Sequence, residues 1–436
     1  MKKMMSRILK NEKFKSVLLV LLIVGVLFLG AQTRLFGDFF STIPIFGDLS
    51  DWVLGRKTTD TARVDSEIAG EAARPLCIVL TNNEQRRYAE KYDFNGVDTL
   101  YEATSGVVRE ALGSATNTAE ITKKEWLDAL NESGIYYEYA NPINLEIING
   151  WFGAKAREAE SSLVKRFFVA FSSEKSVLYY EDCLTGGFYV SDTALAVGRR
   201  PQILDGGGNG ARFAYEEEFS FEHDSDFFVV VPRADYPILT VENPLEDSAK
   251  LDAVLTGLGV TSQYRTNVIE NNGNRIYVGN DFEVSVSADG KIEYILSEAT
   301  LLEEGVSGAD ISDGEYVELA GRLIDKTLGA VCGEARTYFT EIERRENGAV
   351  EVIFEYFACG GKIELSENRR PARVVFRNGI ISRVELLCRY YGENGEKREL
   401  LPVRQAFAAA GGAFYLCYND SGRQIIEPFW KKDTFR

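Results

Sequence analysis

A chain of 436 residues with 45% hydrophobic, 26% charged and 12% aromatic content has the composition of a folded protein of two or three units, which excludes long disorder, collagen and a multi-span membrane protein. The formal net charge is −17, and six of the 49 basic residues (Lys2, Lys3, Arg7, Lys10, Lys13, Lys15) fall with one acid, Glu12, in the first fifteen positions, so the remainder carries −22. An acidic body of that size with no basic patch argues against nucleic-acid binding, and one histidine, His223, beside three Met and six scattered Cys gives little material for soft-metal sites or histidine-base chemistry.

Residues 1–15 read as a basic cytoplasmic tail. From Ser16 to Thr33 come 18 uncharged residues, SVLLVLLIVGVLFLGAQT, which as a helix span ~27 Å at ~1.5 Å per residue, enough for a bilayer core. The basic cluster precedes the segment, so the positive-inside rule keeps the N-terminus in the cytoplasm and exports the body, which predicts a single-pass cell-membrane protein. A cleaved signal peptide shares this layout, but a cut after Ala31 would place Leu29 where a small residue is needed. Helix association in lipid depends on small or polar residues. In this span these are Gly25, Gly30 and Ala31, with Ser16 and Gln32 at its ends, so we expect the first three to form a membrane contact.

Residues 34–73 read as a juxtamembrane segment and stem. Phe36, Phe39, Phe40, Phe46 and Trp52 recur among turn residues, the composition of an interface belt; a short helix packed on the first exported unit is the alternative.

The first exported α+β unit is expected over 74–240. PLCIVLTN predicts a buried strand, and Val97, Leu100, Tyr101, Thr104, Val107, Val108, Ala111 and Leu112 fall on one helical stripe ending near Gly113. Thr122 and Glu125 have capping-box spacing. IYYEYA predicts a strand, a turn is expected at Asn141-Pro142, and NLEIINGWFGA predicts a short helix. LVKRFFVAFSS, KSVLYYED and GGFYVSD predict three further strands.

The proline-rich run 232–245 predicts a break before a second α+β unit, 241–436. SAKLDAVLTGLGV predicts a helix followed by the strands RIYVGN, FEVSVSADG and KIEYILSE, with a hairpin at Asp289-Gly290. GEYVELAGRLIDKTLG then predicts a second helix, followed by TYFTEIERR, VEVIFEYFACG, ARVVFRN and ISRVELLCRYY. One helix plus an antiparallel meander is thus written twice, which reads as an internal duplication. PVRQAFAAAG, AFYLCYND and QIIEPFW close the chain.

Motifs for chemistry are sparse. His223, with Glu222, Asp224 and Asp226, reads as a solvated acidic turn, since neighbouring strand positions point to opposite faces. The glycines of DGGGNGARFAY (Gly206, Gly207, Gly208, Gly210) lack the Lys-Ser/Thr and the helix that a phosphate loop requires, and read as a connection. Cys77, Cys183, Cys332, Cys359, Cys388 and Cys417 show no metal spacing and lie mostly in apolar strand patterns, which reads as buried thiols. No metal, cofactor or catalytic residue is expected.

The basic tail, single span, aromatic stretch and large α+β body, together with ITKKEWLDALNESGIYYEYANPINLEIINGWFG and RVELLCRYYGENGEKRELLPVRQAFAAAGGAFYLCY, resemble the YycH/YycI (WalH/WalI) family, accessory regulators of the cell-wall sensor histidine kinase in Gram-positive bacteria. The resemblance implies a non-enzymatic, membrane-anchored extracytoplasmic regulator of a two-component system. Its partners would be that kinase, contacted through ectodomain and anchor, and a second YycH/YycI-like protein. The alternatives are an exported binding module for a wall fragment or peptide that uses the C-terminal sheets, and a structural partner in envelope assembly.

Overall fold

In the computed structural model, residues 74–154, 162–216, 228–233, 235–260, 268–271, 274–297, 311–366, 369–410 and 414–432 are described. The expected tail 1–15, the span 16–33 with Gly25, Gly30 and Ala31, the juxtamembrane segment and stem 34–73, and His223 with its acidic neighbours lie outside them. No helix among the described residues is long and apolar enough to cross a membrane.

The N-terminal half is built on β1 (Cys77–Thr81), β2 (Arg87–Glu90), β3 (Thr116–Ile121), β4 (Gly134–Asn144), β5 (Leu163–Phe171), β6 (Ser176–Asp182) and β7 (Gly187–Asp192). They form one antiparallel sheet in the order β2-β1-β4-β5-β6-β7-β3. Helix α1 (Phe94–Ser114) opens at Asp93, whose side chain accepts from the Asn95 N–H. It buries Val97, Leu100, Thr104, Val108, Ala111 and Leu112, six of the eight stripe positions expected, and Thr104 Oγ1 meets the Tyr137 hydroxyl at 2.7 Å. Helix α2 (Lys123–Ala129) carries the expected capping box: the Glu125 N–H donates to Thr122 Oγ1 at 3.2 Å and the Thr122 N–H to Glu125 Oε2 at 2.7 Å. Trp126 of α2 stacks on Phe188 at 6.0 Å within a cluster that includes Tyr136, Phe168, Phe213 and Phe228. Tyr136 thus belongs to one face of the sheet and Tyr137 to the other, and both faces are covered, which is why β4 reads as a near-continuous apolar run.

The turn expected at Asn141-Pro142 is absent. Strand β4 runs through it to Asn144, and the register against β5 shifts between Glu138 and Ile143. Pro142 has no N–H to give the ladder, and an irregularity is where a strand tolerates it. Helix α3 (Leu145–Trp151) follows at once, capped by Asn144. Beyond the first sheet, β8 (Arg212–Phe213) and β9 (Val229–Val230) form a short ladder.

The run read as a break contains a strand, β10 (Asp235–Glu242), with its irregularity between Pro237 and Leu239. Helix α4 (Ser248–Gly257) follows, then β11 (Val268–Asn271), β12 (Asn274–Val278), β13 (Phe282–Val286) and β14 (Lys291–Leu296). Helix α5 (Asp313–Thr327) has a second capping box, Ser312 with Glu315. It precedes β15 (Ala335–Arg344), β16 (Val350–Ala358), β17 (Gly361–Leu365), β18 (Ala372–Arg377), β19 (Ile380–Leu387) and β20 (Tyr390–Glu399). Helix α6 (Val403–Ala410), β21 (Phe414–Asp420), β22 (Ile425–Ile426) and β23 (Pro428–Lys432) complete the chain.

The two helix-plus-meander runs share one large sheet, in which the last strands of the two meanders, β14 and β19, pair antiparallel. The segment ISRVELLCRYY is not one strand. It is interrupted at Cys388-Arg389, and β20 leaves to pair with β10 in a three-stranded sheet, β20-β10-β22. Helix α5 covers one face of the large sheet with Tyr316, Val317, Ala320, Leu323 and Ile324, and Tyr316 meets Phe376 at 4.9 Å.

All described residues belong to one compact unit, 62–436. Its halves meet where Arg336 of β15 grips Asp98 of α1 with two 2.7 Å bonds, Arg74 adds a third at 2.6 Å, and Trp151 meets Phe339 edge-on at 6.2 Å. The β16–β17 turn, Cys359-Gly360, packs on the chain after β2. A Cβ on Gly360 would stand 2.5 Å from the Lys91 carbonyl oxygen, at a φ of +69°, so a side chain is excluded twice over.

Candidate functional site

Two concentrations of charge stand out, and they differ in kind. In the N-terminal sheet, Glu138 of β4 lies directly opposite Arg166 of β5. Arg166 reaches Glu138 and Glu181 at 3.3 Å each, Lys91 reaches Glu138 at 3.8 Å, and the Tyr136 hydroxyl donates to Glu138 at 2.7 Å. All four charged residues are 4% exposed or less. Burial first, then the Glu138 carboxylate, pushes the Tyr136 phenol well above its ordinary value. The Arg166 guanidinium also stands 4.8 Å from the Phe228 ring centre. This network is closed, with ligands for one another and aromatic walls around them.

The second concentration lies on the outer face of the large sheet, opposite α5. Because strand side chains alternate, one face here is apolar and the other polar. Cross-strand pairing places Glu293, Glu385, Arg373, Ile353 and Glu341 in one row, and Ile295, Arg383, Val375, Glu351 and Glu343 in the next. Glu293 and Glu385, like charges placed opposite each other, are both bridged by Arg383, at 2.8 Å in the case of Glu385. Such a pair without a bridging cation is destabilising.

A cleft of about 460 Å³ opens on this face. Asp289, Lys291, Glu343, Arg345, Glu351, Arg369, Arg370, Arg373 and Glu385 line it with Ile353, Leu386 and Leu387. Its centre is Glu351 of β16. Arg373 grips that carboxylate through Nε and Nη2, at 3.0 and 2.5 Å, and Arg345 adds a bond of 3.0 Å. Burial pushes Glu351 up, but the two guanidiniums outweigh it and hold the carboxyl below its ordinary value. Arg369 meets Asp289 of the β13–β14 turn at 2.9 Å, and Arg370 meets Glu341 at 3.9 Å. The Ser287 hydroxyl first, then Arg369 against the opposing effect of burial, lowers Asp289. Burial and the neighbouring Glu343 raise Glu341. The arrangement is a polar surface on which guanidiniums are held by carboxylates beneath them.

The other sequence-marked features take structural places. The glycine loop lies against β2: a Cβ on Gly208 would meet the Arg87 carbonyl oxygen at 2.7 Å, and the Asn209 side chain bonds both the N–H and the carbonyl of Ala89, at 3.1 and 2.8 Å. Close backbone approach therefore accounts for the glycine there. All six cysteines are thiols, with Cys183 and Cys359 partly exposed and the others buried. Burial pushes Cys388, Cys359 and Cys417 up to about 12. Among the described residues no group of three His, Cys, Asp or Glu is placed to hold a metal ion.

None of the cleft residues was singled out from the sequence as a site residue, and Asp289 was marked only as a hairpin position. Their signal was the spacing of charges two apart in KIEYILSE and ISRVELL and four apart in VEVIFEYFACG and ARVVFRN, but it needs the strand order before it points to one surface.

No family model and no curated protein matches the chain. Among solved structures it is similar to the crystal structure of YycH from Bacillus subtilis, at 12% identity and a TM-score of 0.47, over 83% of this chain and 95% of that one. YycH is of the family that the sequence resembles.

Proposed function

We propose that the protein is a non-enzymatic, membrane-anchored extracytoplasmic regulator of a two-component sensor histidine kinase, acting through contacts of its body and of its anchor. The observation that carries this reading is the charge step at the amino terminus: six bases, 18 uncharged residues, then an acidic body of some 400 residues. That layout tethers a large folded body beside other membrane proteins, where anchoring raises effective concentration and lets modest contacts matter. The body's chemistry accords with a binding role. Among the described residues the charges of the Glu138 network are paired with one another, and burial raises the thiols of Cys77, Cys388 and Cys417, which keeps them in the unreactive protonated form.

Such a regulator must bind two kinase states with different affinity, since equal affinity shifts nothing. The test is co-purification of the kinase from membranes with the full chain, with Gly25→Leu/Gly30→Leu, and with the span 16–33 replaced by an unrelated anchor. Recovery of the kinase with the native chain, reduced several-fold in both variants, is expected. No kinase with the native chain contradicts the reading, and full recovery after the swap reduces the anchor to a tether.

The cleft favours a second reading, an exported module that binds a small wall-derived ligand. Its volume lies within the range of small-molecule sites.

A further inference from the structure

We infer that the cleft over Glu351 is an anion site, built to take a small ligand that carries two or more adjacent oxyanions, carboxylate or phosphate. The inference deepens the ligand-binding reading and rests on it; the kinase contact stands or falls separately.

The argument starts from how charge is sorted by depth. The carboxylates lie low: Glu351 has a side-chain exposure of 7% and Glu385 of 23%. The guanidiniums lie high, Arg345 at 50% and Arg370 at 42%, with Asp289 at 46% and Glu341, beside Arg370, at 47% the acids that break the pattern. A ligand approaching over Glu351 therefore meets Arg345 before it meets that carboxylate. Five bases line the cleft against four acids, a local positive excess on a chain whose net charge is −17.

Four of the five bases are arginines, and this matters for geometry. A guanidinium presents five N–H donors in a planar fork, so it can hold a carboxylate on one edge and still offer donors on another. Arg345 uses Nη2 toward both Glu343 and Glu351, which among the described residues leaves Nε and Nη1. Arg373 places Nε and Nη2 on Glu351. The Glu351 carboxylate thus fixes two guanidiniums in a shared orientation before any ligand arrives, and preorganised charge-assisted donors are what bidentate recognition of a carboxylate or phosphate requires. A solvated ladder needs no concavity. Here the Arg369-Arg370 connection and the Asp289 turn stand beside the sheet and close a volume of about 460 Å³.

The experiment is calorimetric titration of the purified full chain in detergent at low salt, with inorganic pyrophosphate and, in a second arm, citrate. Arg345→Gln/Arg370→Gln is the diagnostic variant, because Glu351 keeps its two bonds to Arg373 and the fold keeps its buried carboxylate paired; its unfolding midpoint is measured alongside. Saturable binding of at least one probe to the native chain, weakened tenfold or more in the folded variant, is expected. Pyrophosphate alone would assign the source to phosphate, citrate alone to carboxylate, and both to oxyanions generally. No saturable binding of either probe below 10 mM, roughly the weakest affinity worth a specific site, or equal binding to the folded variant, overturns the inference. Kinase co-purification from the same preparations keeps failure of the anion site distinct from failure of the kinase reading.

Discussion

Both large sheets set glutamate opposite arginine on adjacent strands, Glu138 opposite Arg166 in the first and Glu385 opposite Arg373 in the second, yet the two pairs do different work. The first sheet is covered on both faces, and its pair is shut away with Glu181, Lys91 and aromatic rings. Among the described residues the second sheet is covered by α5 on one face, and its pair lies on the other in contact with water. Desolvation makes a buried pair indispensable once formed, because removing one partner strands the other, whereas an exposed pair is screened and adds little. One motif therefore fixes a core in one sheet and leaves a surface available for binding in the other.

The sharpest way to break this contrast is to remove one arginine from each sheet. Arg166→Ala leaves Glu138 and Glu181 buried without their shared cation, and a loss of about 3–5 kcal/mol is expected in denaturant unfolding. Arg383→Ala, on the open face, should cost about 1 kcal/mol or less. Equal losses would erase the distinction.

The joint between the halves ranks between these extremes. Arg336→Ala removes a two-pronged bond to Asp98, and a loss of about 1.5–3 kcal/mol is expected. Asp98 adds a pH signature. Burial raises its carboxyl, but bonds and charge from Arg336 and Arg74 outweigh this, and the net shift is below the ordinary value of 3.8. A depressed folded value gives stability that is full above the unfolded value and is lost as pH falls through the folded one. Acid unfolding should therefore begin below about pH 4 in the native chain through this group, and Asp98→Asn should flatten that part of the curve. An unchanged curve would remove Asp98 from the joint.

Caps are the smallest effect. Thr122→Ala and Ser312→Ala should each cost about 1 kcal/mol, measured by the same unfolding, and should do so equally in the two halves despite the difference in how their sheets are covered.

The comparison also marks what was legible beforehand. Local signals were sound where one stretch of chain decides the outcome: the Thr122–Glu125 box, the stripe of α1, and the strands of the first meander. Ser312-Asp-Gly-Glu315 has the same spacing as the first box and carries the same local signal. Pairing was not legible. Nothing in KIEYILSE or ISRVELL says that β14 and β19 are neighbours, so the rows Glu293–Glu385–Arg373 and Arg383–Val375–Glu351 could not be assembled, nor the cleft they support. The expected strand ISRVELLCRYY reaches only Tyr391 of β20; Gly392, Asn394 and Gly395 have low strand propensity, and the ladder to β10 overrides that preference. The anchor residues Gly25, Gly30 and Ala31 stand on sequence alone.

The proposed function requires the body to act by binding the kinase. The most direct measurement is the autophosphorylation rate of the sensor kinase co-reconstituted in lipid vesicles with the full chain, with and without Arg345→Gln/Arg370→Gln, at matched protein densities. A change of threefold or more on adding the native chain, in either direction, is expected, corresponding to about 0.65 kcal/mol of differential binding between kinase states. A rate that stays constant at every density of the native chain would contradict the account, since a partner that distinguishes no kinase state regulates none.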